Sequence, residues 1–335
     1  MAAASISPSR ILRELDQLWV DLGSGQDADR PSAVLRACAM TLVVATEGGG
    51  DEGDELGETL AQLVRAHPSR LIVLRLSEGQ AELDARVIAQ CWMPFGRRQQ
   101  ICCERIEITG AESALRGIPP VLQGLTVPDL PVVLWCRSRA MCSIEGFESV
   151  LVQADKLIVD STGTTSPGEQ ARWIASLRTP ERTVADLAWT RLTRWRESVA
   201  QVFDEPESIA RLSRITGARL TFEGPCAPMA SVYLAAWLED ALNRRLAVQT
   251  ERAGPAPRPG VRGIELFGDS TCCSVKIGAD RNVEVRGAHR EARALFPRLG
   301  DEELLREELA VMGRDEVYES ALARAPEVAE RMGLQ

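Results

Sequence analysis

The chain has 335 residues, of which 45% are hydrophobic and 26% are charged, and its formal net charge is -9. These values are typical of a globular protein of two domains and exclude the disordered and fibrous classes. An acidic chain with 4% aromatic residues has neither a general basic footprint nor many stacking platforms, so we expect no nucleic-acid partner. Residues 1–19 contain no long apolar run, which predicts a cytoplasmic protein without a signal peptide or a membrane span.

The first half of the chain predicts an α/β fold, with a mixed and mostly parallel sheet wrapped by helices. Continuous apolar runs at 41–45, 71–76, 132–135 and 157–159 predict strands that are buried on both faces. Segments 85–92 and 100–109 are rich in β-forming residues and flank the turn-like residues 94–98, which predicts a hairpin-like pair added to the sheet. The patterns also predict helices at 8–22, 55–66, 113–123, 146–153, 168–177, 184–203, 206–216 and 227–246.

The second half predicts a smaller α+β domain. Segment 250–263 is rich in proline and glycine and predicts a loop or linker. Segments 264–267, 271–277 and 282–285 predict a three-stranded meander, which two helices follow. We therefore expect an N-terminal α/β domain over 1–170 and a C-terminal helical and α+β domain over 171–335, with the boundary between 161 and 186. A single long domain is the alternative.

The segment 186–204, DLAWTRLTRWRESVAQVFD, predicts one amphipathic helix. Thr183 and Asp186 fit a capping-box start, and Pro206 fits a stop. Arg196 lies within the apolar stripe of this helix, and its helical neighbours offer no carboxylate. We expect the guanidinium either to reach outward or to pair with a charge elsewhere, on another domain or another protein. The apolar stripe consists of Ala188, Trp189, Leu192, Trp195, Val199, Val202 and Phe203.

A second candidate surface follows the run 127–139, VPDLPVVLWCRSR, which places Trp135, Arg137 and Arg139 at the carboxyl end of a buried strand. Ligands and partners of open α/β sheets meet that end. Tryptophan and arginine are also common interface anchors. The alternative is that the arginines are solvated and the tryptophans fill the core. The candidate partner-binding residues are Trp135, Arg137, Trp189, Arg191, Trp195 and Arg196.

Two glycine-containing loops were weighed as phosphate sites. GGGDEG at 48–53 matches G-x-G-x-x-G, but its acidic residues would repel a pyrophosphate at the helix N-terminus, so we expect no nucleotide cofactor. The loop 160–170, DSTGTTSPGEQ, follows a strand and precedes a helix, where hydroxyls and backbone amides can hold a phosphate. It has no Walker lysine, and an ordinary capping loop is the alternative. The candidate phosphate contacts are Ser161, Thr162, Thr164 and Thr165.

The nine cysteines predict reduced thiols rather than a disulfide framework. With no C-x-x-C and only His67 and His289 as histidines, we expect no metal site. Adjacent cysteines point to opposite faces of a strand, so redox switching through them requires a distant partner. No G-x-S-x-G, H-E-x-x-H or P-loop pattern occurs, and we expect no catalytic activity. The candidate redox residues are Cys102, Cys103, Cys272 and Cys273.

Six segments in this order carry a family resemblance: HPSRLIVL from 67, ICCERIEI from 101, VPDLPVVLW from 127, ADKLIVDS from 154, the helix 186–204, and YLAAWLEDAL from 233. Together they resemble the OpcA family of glucose-6-phosphate dehydrogenase assembly proteins. The resemblance implies a non-catalytic partner that allosterically activates or assembles this enzyme of the oxidative pentose phosphate pathway, and so serves NADPH production. The alternatives from the residues themselves are a sugar-phosphate-binding protein and a thiol redox sensor.

Overall fold

The computed structural model describes residues 6–24, 34–48, 52–79, 82–92, 100–204, 206–256, 259–278, 282–287 and 291–334. The chain forms two compact units. Unit 1 comprises Met1–Val159, Thr179–Val184 and Asp301–Ala310, and unit 2 comprises Asp160–Arg178, Ala185–Gly300 and Val311–Gln335. The chain thus passes from one unit to the other several times. The single boundary at 170/171 stays a prediction.

The elements follow one another along the chain without long internal interruptions. Up to Cys136 they are α1 (Pro8–Ser24), β1 (Val34–Arg36), β2 (Met40–Glu47), α2 (Glu52–Ala66), β3 (Ser69–Ser77), β4 (Asp84–Trp92), β5 (Gln100–Ala111), a 3-10 helix (Glu112–Gly117), α3 (Ile118–Leu125) and β6 (Val132–Cys136). Then come α4 (Arg139–Cys142), α5 (Glu148–Leu151), β7 (Lys156–Val159), α6 (Pro167–Ser176), β8 (Thr183–Asp186), α7 (Leu187–Thr190) and α8 (Thr193–Val202). The rest are α9 (Pro206–Leu212), β9 (Gly217–Glu223), α10 (Met229–Ala241), β10 (Ala247–Gly254), β11 (Gly260–Phe267), β12 (Thr271–Ile277), β13 (Asn282–Arg286), β14 (Glu291–Leu295), α11 (Asp301–Leu309) and α12 (Glu316–Arg331).

The first sheet confirms the predicted mixed α/β architecture. Within the described residues it has eight strands in the order β1-β5-β3-β2-β6-β7-β8, and β4 pairs with β5. The β2 strand lies parallel to both β3 and β6, whereas β4 and β5 are antiparallel. The four predicted apolar runs lie within β2, β3, β6 and β7, which are almost entirely buried. The turn expected at 94–98 lies outside the described residues.

The second sheet is larger than the predicted meander. Its six strands among the described residues have the order β10-β9-β11-β12-β13-β14. The β9 and β14 strands were not predicted, and the linker prediction for 250–263 is wrong because β10 and β11 extend into that segment. β10 pairs in parallel with β9 although it is almost entirely exposed. Its pairing therefore left no apolar pattern in the sequence.

Several predicted helices are shorter or are divided in the structure. The 113–123 helix is a 3-10 turn followed by α3, and α5 is the short helix within 146–153. The helix predicted over 206–216 ends at Leu212, and that over 227–246 ends at Ala241. Asn243, just after the second of these, has a φ of 48°, a left-handed conformation that ends helices. α8 packs on β12 and β13, and α10 packs on β9 and β11.

Candidate functional site

The single helix predicted over 184–203 is wrong, because the segment forms β8, α7 and α8. Thr183 lies in β8 rather than in a capping box. Asp186 ends that strand and caps α7, since its side chain accepts a hydrogen bond from Ala188 N at 2.9 Å. The predicted apolar stripe is nevertheless buried along both helices, apart from the half-buried Phe203. Its 3.6-residue period passes through the break at Arg191 and Leu192.

Asp186 is the centre of a buried polar cluster in unit 2. Its carboxylate accepts hydrogen bonds from the backbone N–H and the hydroxyl of Ser161, and from the Tyr233 hydroxyl at 2.8 Å. Burial raises the pKa of Asp186 to about 6, the nearby charge of Asp160 adds to the increase, and the donated hydrogen bonds oppose it. No cation is bonded to this carboxylate among the described residues, which explains why it holds its proton.

Trp189 is buried beside this cluster and carries Arg196 on its ring. Its indole Nε1 donates to Asp315 Oδ2 at 3.0 Å, and its ring centroid lies 5.9 Å from that of Tyr233 and 5.5 Å from that of Tyr318. The guanidinium carbon of Arg196 lies 3.6 Å from the Trp189 ring centroid. This geometry is a close cation–π contact.

Arg196 therefore has contacts within unit 2. It donates to Trp189 O at 3.3 Å and to Thr193 Oγ1 at 3.2 Å, and its side chain is half-buried. Trp195 is buried, with its ring centroid 5.3 Å from that of Phe296. The aromatic ring and the two oxygen acceptors accommodate the charge in the apolar stripe. A partner protein is not required to satisfy it.

Arg191 fixes the loop that contains the candidate phosphate contacts. Its two terminal nitrogens each lie 3.0 Å from an Asp160 carboxylate oxygen, and Nη1 donates to Thr162 Oγ1 at 2.8 Å. The Thr164 hydroxyl accepts from Ser166 N at 3.3 Å, and Thr165 is exposed. The hydroxyls of Ser161, Thr162 and Thr164 are thus engaged within the protein.

The helix that follows this loop is also capped from within unit 2. Gly168 N, in the first turn of α6, donates to Leu334 O at 3.0 Å. Both Asp160 and Asp186 place carboxylates under the loop. These contacts favour the capping-loop alternative, and phosphate binding by this loop stays a prediction.

Trp135 and Arg137 lie in unit 1, at the carboxyl end of β6. Trp135 is 2% exposed, and its indole Nε1 has no hydrogen-bond partner among the described residues. The Arg137 guanidinium carbon lies 5.4 Å from the Trp135 ring centroid. Its terminal nitrogens lie 3.5 Å from Thr46 Oγ1 and 3.9 Å from Asp301 Oδ2. The arginine of this pair reaches solvent, whereas the tryptophan does not.

The cysteines differ from the predicted reduced thiols. Cys91 and Cys102 form a disulfide across opposite positions of β4 and β5, and Cys136 and Cys142 form a second disulfide. Cys102 therefore has the distant partner that redox chemistry would require, although the sequence did not identify Cys91 as that partner.

The other three redox candidates are free and buried. Burial raises the pKa of the Cys103 thiol to about 11 and that of the Cys273 thiol to about 12, while Cys272 is buried beside Cys273. A raised pKa keeps a thiol protonated and unreactive at neutral pH. Redox chemistry at these three positions stays a prediction, and their environment opposes it.

The remaining searches cover the described part of the chain. There, no group of three or more histidine, cysteine, aspartate or glutamate residues is arranged to hold a metal ion. No helix in the same part is long and apolar enough to cross a membrane.

The structure brings together residues that the sequence analysis did not connect. Ser161 and Asp186 meet at Tyr233, and Tyr233 and Tyr318 lie 3.3 Å apart at their hydroxyls. These are the two tyrosines of the chain. Their scarcity was the signal in the sequence, but the positions are far apart, and no local pattern reports such contacts.

Two family models match most of the chain. The N-terminal domain of the glucose-6-phosphate dehydrogenase subunit matches residues 61–176, and the C-terminal domain of the same subunit matches residues 182–322. The chain belongs to the OpcA family. The matches cover both units and lie in the order that the six sequence segments indicate.

Relatives in cyanobacteria share part of this chain. An OxPP cycle protein OpcA from Synechocystis sp. PCC 6803 is 31% identical over 187 residues, which are 55% of this chain and 38% of the relative. The OpcA protein of Nostoc punctiforme is 28% identical, over 54% of this chain and 39% of the relative. The chain spans about two fifths of the length of these two relatives. The OpcA protein of Synechococcus elongatus is 24% identical over 81% of this chain and 70% of its own length.

Solved structures with a similar course of the chain are distant. A biliverdin reductase from Synechocystis sp. PCC 6803, in complex with biliverdin and NADP+, is 10% identical with a TM-score of 0.46, over 88% of this chain and 99% of that one. A levoglucosan dehydrogenase in complex with NADH and levoglucosan is 12% identical with a TM-score of 0.45, over 88% and 97%. Likeness at this level carries no argument about cofactor or activity.

Proposed function

We propose that this chain binds glucose-6-phosphate dehydrogenase and favours its assembled or active state, without taking part in bond-making itself. The observation that carries the proposal is the match of both subunit domains over 61–176 and 182–322. The names of the cyanobacterial relatives place them in the OxPP cycle. A cytoplasmic location, expected from residues 1–19, is part of the proposal.

The proposed contacts are the arginines of the six candidate residues. Arg137 and Arg191 have side chains that are 21% and 26% exposed, and Arg196 is half-buried. The three tryptophans are at most 5% exposed, so they support the surface rather than form it. A guanidinium held on an aromatic ring loses little freedom on binding, which makes Arg196 on Trp189 suitable as a preorganised anchor.

The absence of catalysis in the proposal agrees with the state of the buried cluster. Asp186 has a raised pKa, which is common at catalytic sites. However, it is fully buried, and its hydrogen bonds go to Ser161, Ala188 and Tyr233. A group engaged in this way stabilises the fold and does not present itself to a substrate.

The proposed effect on the enzyme is a shift of population. A partner that binds the active conformation more tightly raises the fraction of enzyme in that conformation by its differential affinity. Coupling of about 1–3 kcal/mol corresponds to a factor of about 5–150. One interface anchored by a few arginines is sufficient for a coupling of this size.

The contact surface is tested by Arg196→Ala, with Arg194→Ala as the control. Arg194 lies in the same helix and is exposed on the side opposite to the apolar stripe. Both variants remove one positive charge from α8. We expect Arg196→Ala to weaken the complex about tenfold or more in a titration with the dehydrogenase, with a smaller effect for Arg194→Ala. Equal affinities of both variants and the parent chain would remove α8 from the interface.

A second candidate function, thiol redox sensing, is favoured by the disulfides Cys91–Cys102 and Cys136–Cys142. Each pair has one buried and one half-buried cysteine, so an external thiol has access to one sulfur of each pair. Differential alkylation followed by peptide mass analysis would count the thiols before and after a dithiol reductant. Sensing requires that two thiols appear per reduced pair and that the affinity for the dehydrogenase changes with them.

A further inference from the structure

The carboxyl ends of β2 and β6 mark the place where the order of the first sheet changes direction. The chain passes from β2 to β3 on one side, and β6 pairs with β2 on the other side. The loops that follow β2 and β6 therefore diverge. In open α/β sheets, ligands bind beside the strand ends at such a switch point.

Four polar side chains meet at these strand ends in unit 1. Ala45 pairs with Cys136 and Arg137 N donates to Ala45 O at 3.1 Å, which sets Arg137 beside Thr46. Ser138 Oγ donates to Glu47 Oε1 at 2.8 Å. The ends of the two strands thus present hydroxyl, guanidinium and carboxylate groups within one small area.

The indole N–H of Trp135 is the unusual group at this place. Burial of a polar donor without a partner is costly, and proteins avoid it. Elsewhere the chain obeys this rule, since Trp19 Nε1 donates to Glu104 at 2.8 Å and Trp189 Nε1 donates to Asp315 at 3.0 Å. Trp135 Nε1 has no such acceptor among the described residues, although the side chain is 2% exposed. An acceptor supplied by a ligand would satisfy it.

The contacts of Arg137 leave it capable of stronger ones. Its distances of 3.5 Å to Thr46 Oγ1 and 3.9 Å to Asp301 Oδ2 exceed the 2.7–2.9 Å that is usual for charge-assisted hydrogen bonds. The guanidinium lies over the Trp135 ring. An anionic oxygen placed between them would receive donors from both residues.

The charges of the site select the kind of ligand. Glu47 and Asp301 bring two carboxylates close to Arg137, which would repel a bare anion. The same carboxylates accept hydrogen bonds from hydroxyl groups. We propose that the ends of β2 and β6 bind an anionic polyol, a sugar that carries one phosphate or carboxylate. Its anionic group accepts from Arg137 and Trp135 Nε1, and its hydroxyls donate to Glu47 and Asp301.

The test is a set of four calorimetric titrations of the full chain, with glucose 6-phosphate, gluconate, glucose and inorganic phosphate. The proposal expects glucose 6-phosphate or gluconate to bind more tightly than glucose or inorganic phosphate. Binding of the phosphate ester alone or of the carboxylate alone identifies which anionic group the site takes. Equal binding of inorganic phosphate would show a simple anion site and overturn the proposal, as would no binding of either polyol anion.

The position of the site is tested by Trp135→Phe, which keeps an aromatic ring and removes only the N–H donor, with Trp237→Phe as the control. We expect Trp135→Phe to weaken the anionic polyol about tenfold, the loss of one hydrogen bond to a charged group. Trp237 lies in α10, and its variant should bind like the parent chain. Thermal unfolding without ligand shows that Trp135→Phe folds. Unchanged affinity in the folded variant would overturn the assignment, whatever the outcome with the dehydrogenase.

Discussion

Each unit has a tryptophan that supports an arginine, but the two pairs are held differently. In unit 2 the guanidinium of Arg196 lies 3.6 Å from the Trp189 ring centroid, and the Trp189 indole donates to Asp315. In unit 1 the guanidinium of Arg137 lies 5.4 Å from the Trp135 ring centroid, and the Trp135 indole has no partner among the described residues. The same two residue types therefore form one completed contact and one that is open to a ligand.

The difference shows that the partner of the indole N–H, rather than the cation–π contact, distinguishes the two roles. Trp189 is bonded to Asp315 and packed on both tyrosines, so its surroundings fix its orientation. That fixed ring makes Arg196 a suitable anchor for a protein partner. Trp135 lies at the switch point of a sheet with a donor to spare, which suits a small ligand.

The largest expected effect breaks the unit 2 pair. Trp189→Ala removes a buried ring between Tyr233, Tyr318 and Arg196. We expect a loss of about 3–5 kcal/mol in the free energy of unfolding, the cost of truncating a buried aromatic residue. Urea denaturation followed by circular dichroism measures it. A loss below about 1 kcal/mol would mean that this ring does not organise the unit.

The pH dependence of stability tests the carboxylate beside Trp189. The pKa of Asp186 is raised to about 6 in the folded chain, against about 3.9 when unfolded. The folded state then binds the proton more tightly, so stability from this group is greatest at low pH and falls as pH rises from about 4 to 6. We expect a decrease on the order of 1–3 kcal/mol, which disappears in Asp186→Asn.

The control for this prediction is the difference between the two pH profiles, because other groups titrate equally in both proteins. The difference curve should slope between pH 4 and 6 and level off above pH 6. Parallel profiles across this range would show that Asp186 has an ordinary pKa in the folded chain.

A matched pair of substitutions sharpens the comparison at the level of single hydrogen bonds. Trp189→Phe leaves Asp315 without the indole donor and should cost about 1–3 kcal/mol, as for a bond to a charged group. Trp135→Phe removes an N–H that has no acceptor among the described residues and should change the free energy of unfolding by less than about 1 kcal/mol. Chemical denaturation of both variants decides, and equal losses would contradict the distinction.

The smallest expected effect concerns the cation–π contact itself. Arg196→Ala should lower the free energy of unfolding by about 0.5–2 kcal/mol, because Thr193 and Trp189 O are also left without their donors. Denaturation midpoints measure this loss. The variant should stay folded, so a weaker complex with the dehydrogenase would reflect the contact surface. Unfolding of the variant at room temperature would show that Arg196 is structural.

The parts of the fold that the sequence predicts are those where burial leaves a local pattern. β2, β3, β6 and β7 are buried on both faces and read as apolar runs. β10 is exposed, and β14 has the sequence EARAL, whose alanine, glutamate and leucine favour helix. The apolar stripe of 186–204 predicts the buried face but not the break between α7 and α8, since both helices turn it inward.

The site follows the same rule. The position of Arg196 in the stripe is local information, and Trp189 lies seven residues away, two helical turns along the same face. The cluster around Asp186 is not local, because Tyr233 is 47 residues away and Ser161 is 25 residues away. Likewise, the free donor of Trp135 is defined by what surrounds it in the folded sheet.

The most direct test of the proposed function is the rate of the cognate glucose-6-phosphate dehydrogenase across glucose 6-phosphate concentrations, with and without this chain, together with a sizing run of the mixture. The proposal expects a co-eluting complex and a changed Michaelis constant or turnover. It also expects the parent complex to be stronger than that of Arg196→Ala. Separate elution of two folded proteins with unchanged kinetics would contradict it.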